Sequence, residues 1–364
     1  MFDTQYWSAV PDSFWAVVFF VLGTMIGSLL NVCIHRMPRG ESIVSPGSHC
    51  PHCSYAIPWI LNIPLVTWLF LGGKCANCKA PISVRYFLVE LLTGLLFLAS
   101  WFAYGSQSPA LAAVYCLFLA GLVAASFIDI EHFIIPDEIT LGGTVAGFLC
   151  SALVPAMHAV QGAPAGLKAS FFGIAAGAGV VYAILRLGKL LFGKQRFDLA
   201  PDSRVIFTEE AMVLPDQTIP YEEMFYRDSD TVLLDAKTVE LIDRSYANVR
   251  VRLSPRALRI GEDQFPPESI VWLEVVTTEI VIPREAMGLG DVKFMAAIGA
   301  FLGWQACFFS LMVSAIIGSM VGITLIVFKK QEWSSRLPYG PYIALAAMLW
   351  LMGGNRLTAW WLAR

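Results

Sequence analysis

Long apolar runs alternate with short polar breaks along most of this chain. The pattern predicts eight membrane-crossing helices, at about 14–34, 86–104, 110–128, 138–157, 169–192, 292–303, 306–328 and 339–361. Roughly 17–25 apolar residues suffice to cross a hydrocarbon core. The sixth run is short, and Gly303-Trp304 marks a tight turn into the seventh. Two polar segments interrupt the series, at about 35–85 and 195–285. The second holds brief alternating runs, Asn248-Val-Arg-Val-Arg-Leu253 and Val271-Trp-Leu-Glu-Val-Val276, which have the period of half-buried strands. It also repeats itself. Ala211-Met-Val-Leu then Ile219-Pro-Tyr-Glu-Glu-Met224 is echoed by Ala257-Leu-Arg-Ile then Phe265-Pro-Pro-Glu-Ser-Ile270. A small β-rich module with a duplicated unit is expected there.

The expected fold is thus an all-α polytopic membrane protein of about eight transmembrane helices, with two extramembrane segments. Its divisions are 1–34 (first span), 35–85 (a cysteine-bearing domain), 86–194 (spans), 195–285 (β-rich insert) and 286–364 (last spans). Composition agrees: 57% of residues are hydrophobic and 15% charged, against about 25% charged in soluble domains. The net charge of −3 gives no reason to expect a nucleic-acid partner. Residues 1–14 lack Lys and Arg, so the first apolar run is read as a retained span and not a cleaved signal.

Basic residues near span ends set orientation. Arg36, Arg39, Lys74, Lys79, Arg85, Arg186, Lys189, Lys194, Arg196, Lys293, Lys329, Lys330 and Arg336 collect on one side. The other side has the basic-free N-terminus, the uncharged loop Gly105–Pro109 and Lys168, with Arg356 and Arg364 dissenting. Both termini are expected outside and both polar segments in the cytoplasm. The insert is acidic, with 17 of the chain's 28 Asp and Glu between Asp198 and Glu279.

Four of the eight cysteines are ordered as C-x₂-C-x₂₁-C-x₂-C: Cys50, Cys53, Cys75 and Cys78. Each pair places two thiolates on one tight turn, and two such knuckles complete the tetrahedral shell that structural zinc prefers. A cytoplasmic site argues against disulfides. Four sulfur ligands leave no open position, so a zinc here is structural. Reduced thiols without metal, or a redox pair, are the alternatives. Cys33, Cys116, Cys150 and Cys307 sit in apolar runs and read as small buried hydrophobes.

Two aspartates stand where a bilayer tolerates charge poorly. Asp129 ends the run Leu111–Ile128, and Asp291 closes Gly288-Leu289-Gly290-Asp291 before the run Phe294–Phe309. At a helix centre such a group costs about 2.5–3.5 kcal/mol on insertion scales. Taken singly, Asp291 fits a helix N-cap and Asp129 a polar helix end. Taken together, on one expected face, they suggest a pair sharing a proton: one ionised carboxylate draws a proton from water, while its protonated partner polarises a scissile carbonyl. The glycines before Asp291 let a substrate backbone approach.

These residues carry a resemblance to the type IV prepilin peptidases, intramembrane aspartic proteases with a GxGD motif. Gly27-Ser-Leu-Leu-Asn-Val32, Arg36-Met-Pro38, Ser45–Cys53, Asn62–Trp68, Cys75–Ser83 and Arg85–Glu90 resemble the family's first part. Phe127-Ile-Asp129 with Pro136-Asp137, Gly288-Leu-Gly-Asp291-Val-Lys293 and Leu337-Pro-Tyr-Gly-Pro341 resemble its protease part. The resemblance spans almost all of the chain outside 195–285. It implies catalytic roles for Asp129 and Asp291, with Gly288, Gly290, Lys293 and Pro136 as supporting motif residues. It also implies cleavage of a basic leader from prepilins or pseudopilins, after a Gly, at the cytoplasmic face of the bacterial inner membrane. N-methylation of the new terminus, usually Phe, by S-adenosylmethionine follows, in pilus assembly or type II secretion. The methyltransferase role maps only to about 27–90, where Glu90 stands, without residue-level assignment.

Two departures from the family pattern matter. Phe87 replaces the usual Pro of Arg-Tyr-Pro, which implies a less sharply set helix start. The acidic insert is absent from most members; a docking or gating surface, contact with assembly machinery, and plain decoration are all open. Rival classes are a proton-coupled transporter using both aspartates, and a non-catalytic zinc scaffold of a secretion system.

Overall fold

The computed structural model describes residues 11–192, 194–208, 210–215, 218–225, 230–266, 272–283, 288–328 and 337–354. The expectations for Lys329, Lys330, Arg336, Arg356, Arg364, Val271 and the tail of the second repeat, 267–270, lie outside these residues. The chain divides into two compact units, Tyr182–Gly288 and the remainder.

The larger unit is helical. Its helices are α1 (Asp12–Arg36), a short α2 (Val66–Phe70), α3 (Val84–Ser100), α4 (Pro109–His132), α5 (Asp137–Leu153) and α6, which begins at Ala163 and runs to Phe192. Among the described residues, five stretches are long and apolar enough to cross a membrane: Asp12–Arg39, Val84–Gly105, Pro109–His132, Ala163–Leu190 and Trp304–Val327. The other three expected spans fall on shorter helices. At about 1.5 Å per residue, α5, with 17 residues, is about 26 Å long, at the lower limit for crossing a core of about 30 Å. Phe87 does not loosen the start of α3: Ser83 Oγ accepts the Arg85 N–H as an N-cap.

Helix α4 is apolar on most sides, with Ala112, Leu119, Leu122, Ala125 and Ile128 enclosed, the pattern of a helix inside a bundle. Around it, helices approach through small residues. A Cβ on Gly23 of α1 would lie 2.8 Å from the Gly94 Cα of α3, and one on Gly27 would lie 2.7 Å from the Glu90 Cα. Gly23-Thr-Met-Ile-Gly27 is a small-xxx-small face, which lets backbones pack without intervening side chains.

Gly173-Ile-Ala-Ala-Gly177 of α6 is a second such face. A Cβ on Gly173 would meet the Gly299 carbonyl at 2.0 Å, and one on Gly177 the Met295 carbonyl at 2.3 Å. Gly173→Val is therefore expected to lower stability by at least about 1–3 kcal/mol, the usual range for overpacking, since backbone blocks the added atoms. Thermal unfolding in detergent reads this, and an unchanged midpoint would contradict the packing.

The smaller unit contains β1 (Lys194–Phe207), β2 (Ala211–Val213), β3 (Thr218–Pro220), α7 (Tyr221–Met224), β4 (Val232–Leu241), β5 (Ser245–Ser254), β6 (Ala257–Ile260), β7 (Asp263–Phe265) and β8 (Leu273–Pro283). One antiparallel sheet runs β3-β2-β1-β8-β4-β5-β6-β7. The order is symmetric about its middle. Each half is a long strand, two short strands, and a fourth strand that crosses to pair with the other half's long strand. Equivalent pairs recur: Phe207↔Met212 matches Leu253↔Leu258, and Leu273↔Phe207 matches Val232↔Leu253.

The turns match as well. Thr208 Oγ1 and the Ala211 backbone exchange two hydrogen bonds, as do Ser254 Oγ and Ala257. The equivalent inward residues Val205, Phe207, Val251 and Leu253 share one apolar core. The repeated sequence is thus a repeated fold.

Candidate active site

Asp129 lies in the last turn of α4 and is 5% exposed. The helix ends at Phe133, whose left-handed backbone (φ 55°) lets its N–H close on the Asp129 carbonyl. The chain then turns through Ile135 and Pro136 into α5, whose first turn opens with Asp137 and Glu138. Acidic side chains there suit the positive end of the helix dipole.

Past the smaller unit, α8 (Leu289–Leu302) starts at the Gly-Leu-Gly-Asp turn, and α9 (Trp304–Val327) follows it directly. Asp291 falls inside the first turn of α8, so it is the third helical residue and not the cap itself. Helix α10 (Gly340–Leu349) starts within Leu337-Pro-Tyr-Gly-Pro341.

Four segments meet here. A Cβ on Gly290 would stand 3.7 Å from the Ile135 Cβ, which seats the Gly-Leu-Gly-Asp turn beside the turn between α4 and α5. Lys293 Nζ pairs with Asp137 Oδ1 at 2.6 Å. The Gly340 N–H, at the amino end of α10, donates to Asp129 Oδ2 at 2.8 Å. This satisfies one of the backbone donors that a helix leaves unpaired and points the helix's positive end at the carboxylate. Gly340 has no room for a side chain: a Cβ would lie 2.8 Å from Asp129 Oδ2 and 3.1 Å from Ile135 Cδ1. The Tyr339 hydroxyl lies 3.0 Å from that of Ser314.

The four segments named in the sequence, around Asp129, Pro136, Asp291 and Gly340, thus converge. Arg85 and Glu131 form an ion pair beside them. Residues 337–341 carry part of the resemblance, but their role is not visible in the sequence. The hydrogen bond to Asp129 spans more than two hundred residues, and the only local hint was a glycine between two prolines.

The cysteine quartet also assembles. The four Sγ atoms all lie within 4.8 Å of one another, with Cys50–Cys78 at 3.8 Å and Cys53–Cys75 at 4.0 Å. A tetrahedron of sulfurs about 2.3 Å from a central zinc has edges of about 3.8 Å, so the donors fit that ion. The knuckles are built alike. In the first, the Cys50 N–H bonds the Tyr55 carbonyl and Ser54 takes φ 53°; in the second, the Cys75 N–H bonds the Ala80 carbonyl and Lys79 takes φ 61°. Backbone N–H groups of Cys78 and Asn77 donate to the Cys75 sulfur and bring its thiol down to about 6, which favours the thiolate a metal needs. Buried Arg36 ties the segment to α1 through the Ser42 carbonyl at 3.0 Å.

Residues 21–104 match the Bacterial Peptidase A24 N-terminal domain, and residues 116–199 with 268–323 match the Type IV leader peptidase family. The second match breaks inside the β-sheet unit. The chain is 29% identical to the prepilin leader peptidase/N-methyltransferase of Aeromonas hydrophila, over 97% of this chain and 95% of that protein. It is 27% identical to that of Stutzerimonas stutzeri over 93% and 91%. With that of Myxococcus xanthus it is 40% identical over 50% of this chain and 59% of the other. No solved structure matches. The chain belongs to the type IV leader peptidase family and is an enzyme of that family.

Proposed function

We propose that this enzyme removes the leader from type IV prepilins or pseudopilins using Asp129 and Asp291, and then methylates the new N-terminus. The observation that carries the reading is the convergence of the Gly-Leu-Gly-Asp turn, the turn after Asp129 and the Gly340 N–H. In the chemistry, water attacks the scissile carbonyl carbon while the ionised carboxylate takes its proton. The protonated carboxyl gives its proton to the carbonyl oxygen, forming a gem-diol. The first carboxyl then passes its proton to the amide nitrogen as the C–N bond breaks, and the second takes a proton back from the diol, so the pair ends as it began. Gly290 supports close substrate approach, because the free enzyme itself does not require a glycine there: a Cβ would make only ordinary contact.

The eight-span topology, with the site at the cytoplasmic face of the inner membrane, is part of the same proposal and rests on the basic residues near the span ends. Cys50, Cys53, Cys75 and Cys78 would hold one zinc ion, which would lock the two knuckles together. Chelation is expected to loosen 35–85 while sparing part of the hydrolysis, because Asp129 and Asp291 lie on other segments. Zinc content by atomic emission, expected at about one ion per chain and near background in Cys75→Ser, checks the assignment. Complete loss of cutting on zinc removal, with the helices still folded, would show instead that the two parts are coupled.

For the methyl donor, Glu90 and Asn31 are the buried acceptors within 27–90. Asn31 Oδ1 is enclosed without a hydrogen-bond partner, and Glu90 accepts from the Leu65 N–H at 2.7 Å and from the Ser28 side chain. Such acceptors fit a cationic sulfonium donor with its amino and hydroxyl groups, and would hold and orient it. Purified enzyme incubated with a synthetic peptide spanning a prepilin leader junction is expected to cut after the Gly and, with S-adenosylmethionine, to methylate the product. An uncut peptide across several pilin classes would sink the reading.

A further inference from the structure

Between the two knuckles, Tyr55–Gly73 contains no Asp, Glu, Lys or Arg. It forms a 3-10 turn at Trp59–Asn62 followed by α2. Its large side chains point outward: Trp59 is 79% and Phe70 84% exposed, and Ile60, Ile63, Val66 and Leu69 are exposed as well. A patch of this kind is rare on a surface that faces water.

The segment's depth is fixed by its contacts with α3. The Leu65 N–H, at the head of α2, donates to Glu90, six residues into α3, or about 9 Å along its axis. Trp68 stacks 5.2 Å from Phe87 of the same helix, and a Cβ on Gly73 would strike the Trp68 ring at 2.8 Å. The hairpin is therefore pinned alongside the first turns of a membrane-length helix. That helix itself exposes Val84, Leu88, Leu92 and Leu95.

We infer that Trp59–Phe70 is an interfacial anchor, which lays its apolar face into the acyl boundary of the bilayer while the tips of the knuckles stay in water. A lipid surface is the occupant because the segment is held beside the first turns of a helix long and apolar enough to cross a membrane. Aromatic and aliphatic side chains with no charge are the chemistry of monotopic insertion. The anchor holds the metal-binding segment at a fixed depth beside the first turns of α3. It rests on the chain spanning the membrane and not on its peptidase activity.

The test places p-benzoylphenylalanine at Trp59 and, separately, at Phe70 in the full chain. Each exposed aromatic is replaced by a group of similar bulk, so the fold is not challenged. The protein is held in discs of phosphatidylethanolamine and phosphatidylglycerol, irradiated and weighed intact. Phospholipid adducts are expected at both positions and at Leu95 as the reference, with none at Lys79. Adducts at Leu95 but not at Trp59 or Phe70 would overturn the anchor alone. Adducts joining two copies of the chain through Phe70 would also overturn it, by assigning the face to self-association. No lipid adduct at any of the positions would overturn it together with the spanning assignment of α3.

Discussion

Asp129→Asn and Asp291→Asn are each expected to reduce leader cleavage by about 10²–10⁴-fold, the usual contribution of a positioned acid or base. The double variant is expected to be little worse than either single one. Groups that act as a unit lose their effect together, and their losses do not add. Asparagine keeps the shape of each side chain and its capacity to accept the Gly340 N–H at position 129. It removes only the ability to take or carry the proton. The variants should therefore keep the helical content and unfolding midpoint of the wild type. They should also still methylate a peptide supplied already cut, since methyl transfer is assigned to residues 27–90. Loss of both activities together would point to general misfolding and not to the aspartate pair.

Gly340→Ala is expected to cost about 10²-fold in kcat, the size of effect that misplacing a catalytic group by about 1 Å produces. The added methyl would stand 2.8 Å from Asp129 Oδ2 and 3.1 Å from Ile135 Cδ1. Either the carboxylate or the start of α10 must shift, and the hydrogen bond that aims Asp129 is lost with the shift. Gly290→Ala gives the contrasting case. Its methyl meets Ile135 at an ordinary 3.7 Å, so the free enzyme accommodates it and stability should not change. If substrate backbone passes there, KM rises while the fold is untouched. Steady-state kinetics on one leader peptide separate the two effects: kcat for position 340, KM for position 290. Equal, full activity in both variants would remove the positioning role of the Gly340 N–H and the substrate role of Gly290.

The elements that the sequence made plain were those governed by local rules. Apolar runs placed every long helix, because burying a span in lipid leaves no choice of residue type. Cysteine spacing placed the knuckles, since a tight turn needs only neighbours. The repeat around Ala211 and Ala257 signalled duplication, and both copies form matching hairpins. The crossing of the fourth strands was not legible, since which long strand β4 and β8 join depends on contacts made far along the chain.

Two further features were visible but given no weight. Gly23-Thr-Met-Ile-Gly27 and Gly173-Ile-Ala-Ala-Gly177 are readable small-residue faces, and each turned out to be a site of close helix contact. The short lengths of α5 and α8 follow from turns that the apolar pattern blurs. At the site, the two aspartates were legible from their cost in a bilayer. The Gly340 donor was not, because a backbone N–H leaves no mark in a sequence and its partner lies at the far end of the fold.

The most direct measurement is co-expression of the chain with a prepilin, followed by the intact mass of the pilin product. Wild-type enzyme is expected to give a pilin lacking its leader and carrying one methyl group, and Asp129→Asn and Asp291→Asn to give the full-length precursor. Leader removal that persists in both variants, each folded and in the membrane, would contradict the assignment of hydrolysis to this pair.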